Sequence, residues 1–290
     1  MRTPFLLMLI ACGKKEPVLY PDKLSLDVIA VDQSNHTLVR KDELYGNDWS
    51  VELPLGARDV AVVDPDTVLV NHNGGAMKID VQTGETVSEI TGYLNIEGAY
   101  PQSDGSVTLL TFNGTAEMHL LTIDYKGDES GEQIYPGYRN VKIVREGPEN
   151  HLMFTTGEPW IFLELDARGN EFYGGGIPRP GYMMTKEDDG NYYVSTTTGL
   201  TISVFGREGG QPTNVTSYSG ATDADRFKLE SFAGFDVTPG GLVVTTNQGS
   251  DPDRAHAVAF DSTGQIVWSW TDPELGLFTN LVVMAEHFPE

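Results

Sequence analysis

An all-β fold built from a repeating four-stranded unit is what this sequence predicts, and three observations predict it. Val, Thr, Tyr and Phe run in short stretches, and no long segment recurs at helical period. The 32 Gly and 16 Pro among 290 residues supply many turn positions. A turn made of Asp, two or three residues and then Gly recurs at a spacing of about 40 residues, the length of one four-stranded β-propeller blade. The expected architecture is therefore a β-propeller of about six blades. Five or seven blades would need one unit to be placed differently. A pair of β-sandwiches would leave the period without a cause.

Taken in chain order, the first unit spans about residues 24–53 and offers three strands, at 26–31, 37–40 and 49–53. It lacks the first strand of a blade. The turn glycines fall at Gly46, Gly84, Gly127, Gly169, Gly209 and Gly264. Asp80, Asp124, Asp166 and Asp261 precede four of them, whereas Gly46 and Gly209 read as related turns without the same aspartate spacing. A second turn cluster precedes five of these glycines: Asp64-Pro65-Asp66, Ser103-Asp104-Gly105, residues 147–150, Asp188-Asp189-Gly190 and Pro239-Gly240-Gly241. Strand-like runs flank each cluster, so each reads as the hairpin of the two inner strands of a blade. The last interval is the longest, and residues 247–255 read as an insertion there. One spare strand remains at the C-terminus, residues 281–286. Placed in the missing innermost position of the first unit, it closes the ring and removes exposed sheet edges.

The formal net charge is -23. Nucleic-acid binding needs a basic surface, so that class is disfavoured. Such a surface would attract hard cations, and calcium stays open on that ground. The pairs Asp64/Asp66, Asp188/Asp189 and Asp251/Asp253 do not continue into an Asp-x-Asp-x-Asp-Gly loop, and no motif specifies a cofactor. Walker, HExxH and Gly-x-Ser-x-Gly patterns are missing from the sequence.

The single cysteine is Cys12. It follows an apolar run at residues 5–10, and Leu9-Ile10-Ala11-Cys12 resembles the lipobox of a bacterial lipoprotein signal. The resemblance implies a signal peptide over residues 1–11, a lipidated Cys12 with a polar tether over residues 12–20, and a propeller domain over residues 21–290. It further implies anchoring to a membrane of the bacterial cell envelope through lipid on Cys12. Gly13 stands where some lipoproteins carry an inner-membrane retention aspartate, which favours the outer membrane and periplasm.

Two segments resemble known propeller repeats. Residues 32–40 are similar to an NHL-type repeat. Residues 235–270, with Asp236, Pro239-Gly240-Gly241, Asn247, Asp261, Gly264 and Trp268, look like a blade of the arylsulfotransferase and quinoprotein-like propellers. The arylsulfotransferase resemblance implies a histidine nucleophile in the central channel. Here the inner-strand positions near Phe235 and Val62 are apolar, and no histidine follows that pattern.

The loops that lead into the inner strands share one face of a propeller with the loops joining second and third strands. Arg58, Arg139, Arg179 and Arg226 each precede an inner strand. Together they would form a cationic mouth suited to carboxylate, sulfate or phosphate groups. The alternative is that each pairs locally, with Asp59, Asp223 or Asp225 for example. His36, His72 and His256 occupy related loops of separate blades, too far apart for shared metal ligation. His119, His151 and His287 read as structural. The Trp residues 49, 268 and 270 fall on outermost strands and read as packing between blades. Two functions from different classes follow: a binding or scaffold propeller that takes a protein partner or an anionic small molecule, and a metal-dependent hydrolase of lactonase type. The second needs converging Glu, Asp and Asn, of which Glu97, Asn140 and Asn280 would supply part. A relative of the sulfotransferases that binds substrate without the catalytic histidine lies between the two.

Overall fold

The computed structural model describes residues 24–288 apart from 113–116, 125 and 188. Cys12, its tether and Asp188 lie outside the described residues. Six four-stranded antiparallel sheets stand around a common axis. Strands β1 (Ser25–Asp32), β2 (Thr37–Asp42) and β3 (Trp49–Glu52) are the outer three of blade 1. Blade 2 holds β4 (Val60–Asp64), β5 (Thr67–His72), β6 (Gly75–Asp80) and β7 (Thr86–Ile90). Blade 3 holds β8 (Ile96–Pro101), β9 (Val107–Phe112), β10 (Glu117–Ile123) and β11 (Glu129–Pro136). Blade 4 holds β12 (Val144–Gly147), β13 (His151–Thr155), β14 (Ile161–Leu165) and β15 (Glu171–Gly176). Blade 5 holds β16 (Gly181–Lys186), β17 (Tyr192–Thr196), β18 (Thr201–Glu208) and β19 (Gln211–Ser219). Blade 6 holds β20 (Phe232–Val237), β21 (Val243–Asn247), β22 (Ala257–Phe260) and β23 (Ile266–Trp270).

The spare C-terminal strand takes the place the sequence left open. Strand β24 (Phe278–His287) pairs antiparallel with β1, from Ser25 opposite His287 to Asp32 opposite Phe278. It is the innermost strand of blade 1, so the first and last described strands share one sheet and the ring closes without a free inner edge.

The turn signal has a hydrogen-bond cause. In blade 4 the Asp166 carboxylate accepts the N–H of Arg168 and of Asn170, at 2.8 and 2.9 Å. Asp80, Asp124 and Asp261 do the same for the residues that follow them. The glycine then turns the chain back with positive φ, as at Gly169 (φ 80). The Gly46 turn belongs to this set after all, because Asp42 Oδ1 accepts the N–H of Leu44 and Tyr45. Gly209 differs: Gly209 and Gly210 alone join β18 to β19, with Glu208 opposite Gln211. The insertion expected at residues 247–255 is the loop between β21 and β22.

Apolar strand faces meet between neighbouring blades. Where blade 6 meets blade 1, Trp268 and Trp270 pack with Leu26, Val28 and Phe278. Trp270 and Phe278 meet edge to face with centroids 5.0 Å apart. Buried arginine ties blade 1 to blade 2: Arg40 grips Asp27 at 2.9 and 2.7 Å and donates to the Val81 carbonyl at 2.7 Å. Trp49 Nε1 donates to that same carbonyl at 2.8 Å.

Candidate functional site

The inner strands bring together groups that no local pattern joins. Arg145, on β12, reaches Asp59, the residue before β4, so the pair links blades 2 and 4. Its Nη1 donates to Oδ2 at 2.9 Å and its Nη2 to Oδ1 at 2.6 Å. The guanidinium also donates to the carbonyls of Val144 and Val60, at 3.0 and 3.2 Å. Asn280, on β24, adds a third blade by donating Nδ2 to Asp59 Oδ1 at 2.8 Å. Burial lowers the Arg145 pKa, and the Asp59 charge and hydrogen bonds more than reverse this, so the net shift is upward. Asp59 is fully buried. Blade 3, which lies between the two partners, carries Gly98 there: a Cβ at that position would stand 3.3 Å from Asp59 Oδ2. A larger side chain would crowd the pair. Gly234 serves Asn280 similarly, since its Cβ would fall 2.0 Å from Asn280 Oδ1.

On the side where the chain runs into the inner strands, a pocket of about 540 Å³ opens among Glu97, Phe112, Arg139, Asn140, Lys142 and Glu158. Arg58 forms an ion pair with Glu97. Its expected local partner Asp59 is instead held by Arg145. Arg139 stands 3.7 Å from Glu158, and both side chains are exposed. Lys142 is half-buried and makes no ion pair among the described residues. Arg179 donates to the Thr198 carbonyl at 2.5 Å. Arg226 lies in α1 (Ala224–Phe227), 4.7 Å above the Phe227 ring. Of the four predicted arginines, then, only Arg139 lines this pocket. Arg58 reaches its edge through Glu97, while Arg179 and Arg226 stand at the mouths of blades 5 and 6. Lys142 was missed in the sequence because a lone lysine two residues before a strand reads as an ordinary solvated charge.

Glu97 and Asn140, two of the three residues considered for a metal, share the pocket. Asn280 lies deeper, with its amide on Asp59. Among the described residues, no group of three or more His, Cys, Asp or Glu side chains converges in a way that could hold a metal ion. The histidines are spread out. His119 bonds Glu132 and His151 bonds Glu164, each at 2.7 Å. Asp251 and Asp253, one of the acidic pairs, both face Lys228 Nζ, at 2.9 and 3.1 Å.

Comparison with known proteins supports the fold. No family model matches the chain, and no curated protein matches it. Among solved structures, it is similar to a protein of unknown function from Bacteroides caccae, with a TM-score of 0.72 at 15% identity over 89% of this chain and 98% of the other. A functionally unknown protein from Desulfotomaculum acetoxidans follows, with a TM-score of 0.64 at 12% identity over 89% and 99%. A catalytically inactive virginiamycin B lyase from Staphylococcus aureus, solved with quinupristin, gives a TM-score of 0.56 at 16% identity over 86% and 88%. At these identities the likeness is one of fold.

Proposed function

We propose that this chain is a binding propeller that takes an anionic ligand, or an acidic segment of a protein partner, at the mouth pocket between blades 3 and 4. The observation that carries the reading is Lys142: a half-buried lysine that makes no ion pair among the described residues, in a chain of net charge -23. Arg139 lines the same pocket, Asn140 adds an amide and Phe112 an aromatic wall. A carboxylate, sulfate or phosphate oxygen would meet a fork from Arg139 and a point charge from Lys142. The acidic remainder of the surface would repel such a ligand elsewhere and so confine it to this mouth. In this reading the lipobox-like Cys12 tethers the propeller to the envelope membrane, on the periplasmic side of the outer membrane, with the mouth free to meet its partner.

A metal-dependent hydrolase draws less support. Glu97 is engaged by Arg58, and Asn280 does not line the pocket that holds Glu97 and Asn140, so the partial ligand set is not assembled at one site.

Calorimetric titration of citrate, inorganic sulfate and hexaglutamate into the full chain tests the reading. At least one should bind saturably, and Lys142→Glu should weaken it by about tenfold or more with the melting temperature unchanged. Binding of none of the three, or equal binding by wild type and the variant, would overturn it.

A further inference from the structure

The opposite end of the channel has a different chemistry. Below the Asp59–Arg145 pair lies a cavity of about 270 Å³ on the propeller axis. All six inner strands line it: Val62 from β4, Tyr100 from β8, Glu146 from β12, Met183 from β16, Asp236 from β20 and Leu281 from β24. Arg145 also lines it, but its terminal nitrogens are spent on Asp59 and two carbonyls.

We propose that this lower chamber is a separate binding site for a small organic ammonium ion, drawn in by the two carboxylates that line it, Glu146 and Asp236. Neither carboxylate makes an ion pair among the described residues. Asp236 accepts only backbone N–H groups, from Val237 at 3.0 Å and Val283 at 2.8 Å. Glu146 is half-buried, and the charged neighbour that acts on it is Asp104, a like charge. Burial holds both carboxyls above their ordinary range; Asp104 adds to the effect at Glu146 while the Ser103 N–H opposes it, and at Asp236 the Val283 and Val237 N–H groups and the Arg145 cation oppose it without reversing the net shift. A cation brought into the chamber would relieve that cost.

The walls select the kind of cation. Val62 is 41% exposed although it sits on an innermost strand. Met183, Phe235, Leu281 and Val282 continue the apolar surface. A calcium ion takes six to eight oxygen ligands, roughly, and would meet two carboxylates on hydrocarbon walls. An alkylammonium needs only a few acceptors and uses those walls for its carbon body. An anion would face two carboxylates and is excluded.

The test is titration of n-butylammonium chloride into the full chain, with sodium chloride at equal ionic strength and 1-butanol as the neutral control. Saturable binding of butylammonium with none of butanol is expected. Glu146→Gln should weaken it by about tenfold or more, while Lys142→Glu, at the other mouth, should leave it unchanged. Asp236→Asn would also disturb the contact to Val283, so Glu146→Gln, which breaks no ion pair, decides. Equal binding of butanol, equal affinity in Glu146→Gln, or no saturable binding at all would overturn the proposal.

Discussion

The carboxylate of Asp59 receives both terminal nitrogens of Arg145 from two blades away, at 2.6 and 2.9 Å. Arg145 also lines the chamber that holds Glu146 and Asp236. The mouth pocket with Lys142 and Arg139 lies on the side where the chain runs into the inner strands, and the chamber with Glu146 and Asp236 lies on the other. The same contact joins blade 2, blade 4 and, through Asn280, the closing strand.

Removal of one partner should be costly. Arg145→Met leaves Asp59 fully buried without its cation and should destabilise the fold by about 3 kcal/mol or more. The double variant Asp59→Leu with Arg145→Met removes both charges and should recover most of that loss. Urea denaturation of the three proteins checks this. A single variant as stable as wild type would show that the pair contributes little.

Much of the fold was legible in the sequence, because its signals are local. Asp166 with Gly169 specifies a turn within a few residues, and the six blades follow from counting such turns. The closing strand was legible by subtraction, since the first unit lacked a strand and residues 281–286 were spare. The Asp59–Arg145 pair was not legible. Arg145 and Asp59 lie 86 residues apart in sequence, and only the ring brings them together. A signal existed nonetheless: Arg145 is a charge on a short inner strand, and such a charge needs a partner across the axis. Asp42 shows a local miss, since its spacing to Gly46 matches that of Asp80 to Gly84. Lys142 was overlooked because a lone lysine before a strand looks like any solvated charge until its surroundings are known.

Ring closure rests on Phe278, which is fully buried against Trp270 and the blade 1 core. Phe278→Ala should cost about 3–5 kcal/mol through lost transfer energy and the cavity left behind. Because β24 seals the ring, the loss should appear as one cooperative transition shifted to lower denaturant, seen identically by far-ultraviolet circular dichroism and tryptophan fluorescence. Divergence of the two probes would mean that blade 1 opens independently.

Acid should destabilise the fold in the range where histidine titrates. Burial holds His72 and His256 below the ordinary imidazole range, and the Arg254 cation adds to the effect at His256. The Leu275 carbonyl, Asp32 and Asp272 oppose it at His256, as Glu89 does at His72, without reversing the net shift. Unfolded rings therefore take up protons near pH 6.5 while the folded rings stay neutral, so stability is full above that value and falls as pH drops through it. Each group contributes up to about 1.4 kcal/mol per pH unit in that window. Urea midpoints at pH 7.5 and 5.5 should differ for wild type, and by less for His256→Gln. An equal difference in both would remove His256 from the explanation.

The mouth pocket should respond to salt as an electrostatic site does. Raising ionic strength from about 0.05 to 0.3 M should weaken citrate or sulfate binding progressively, because the exposed Arg139 charge is screened. Calorimetry at several salt concentrations would show it, and salt-independent affinity would point to an apolar contact instead.

The most direct test of the central claim is to soak crystals of the full chain with selenate and locate selenium by anomalous scattering. The account expects a peak in the mouth pocket, within hydrogen-bond reach of Arg139 and Lys142 and lost in Lys142→Glu. Selenate found only elsewhere on the protein, or no ordered selenate at all, would contradict it.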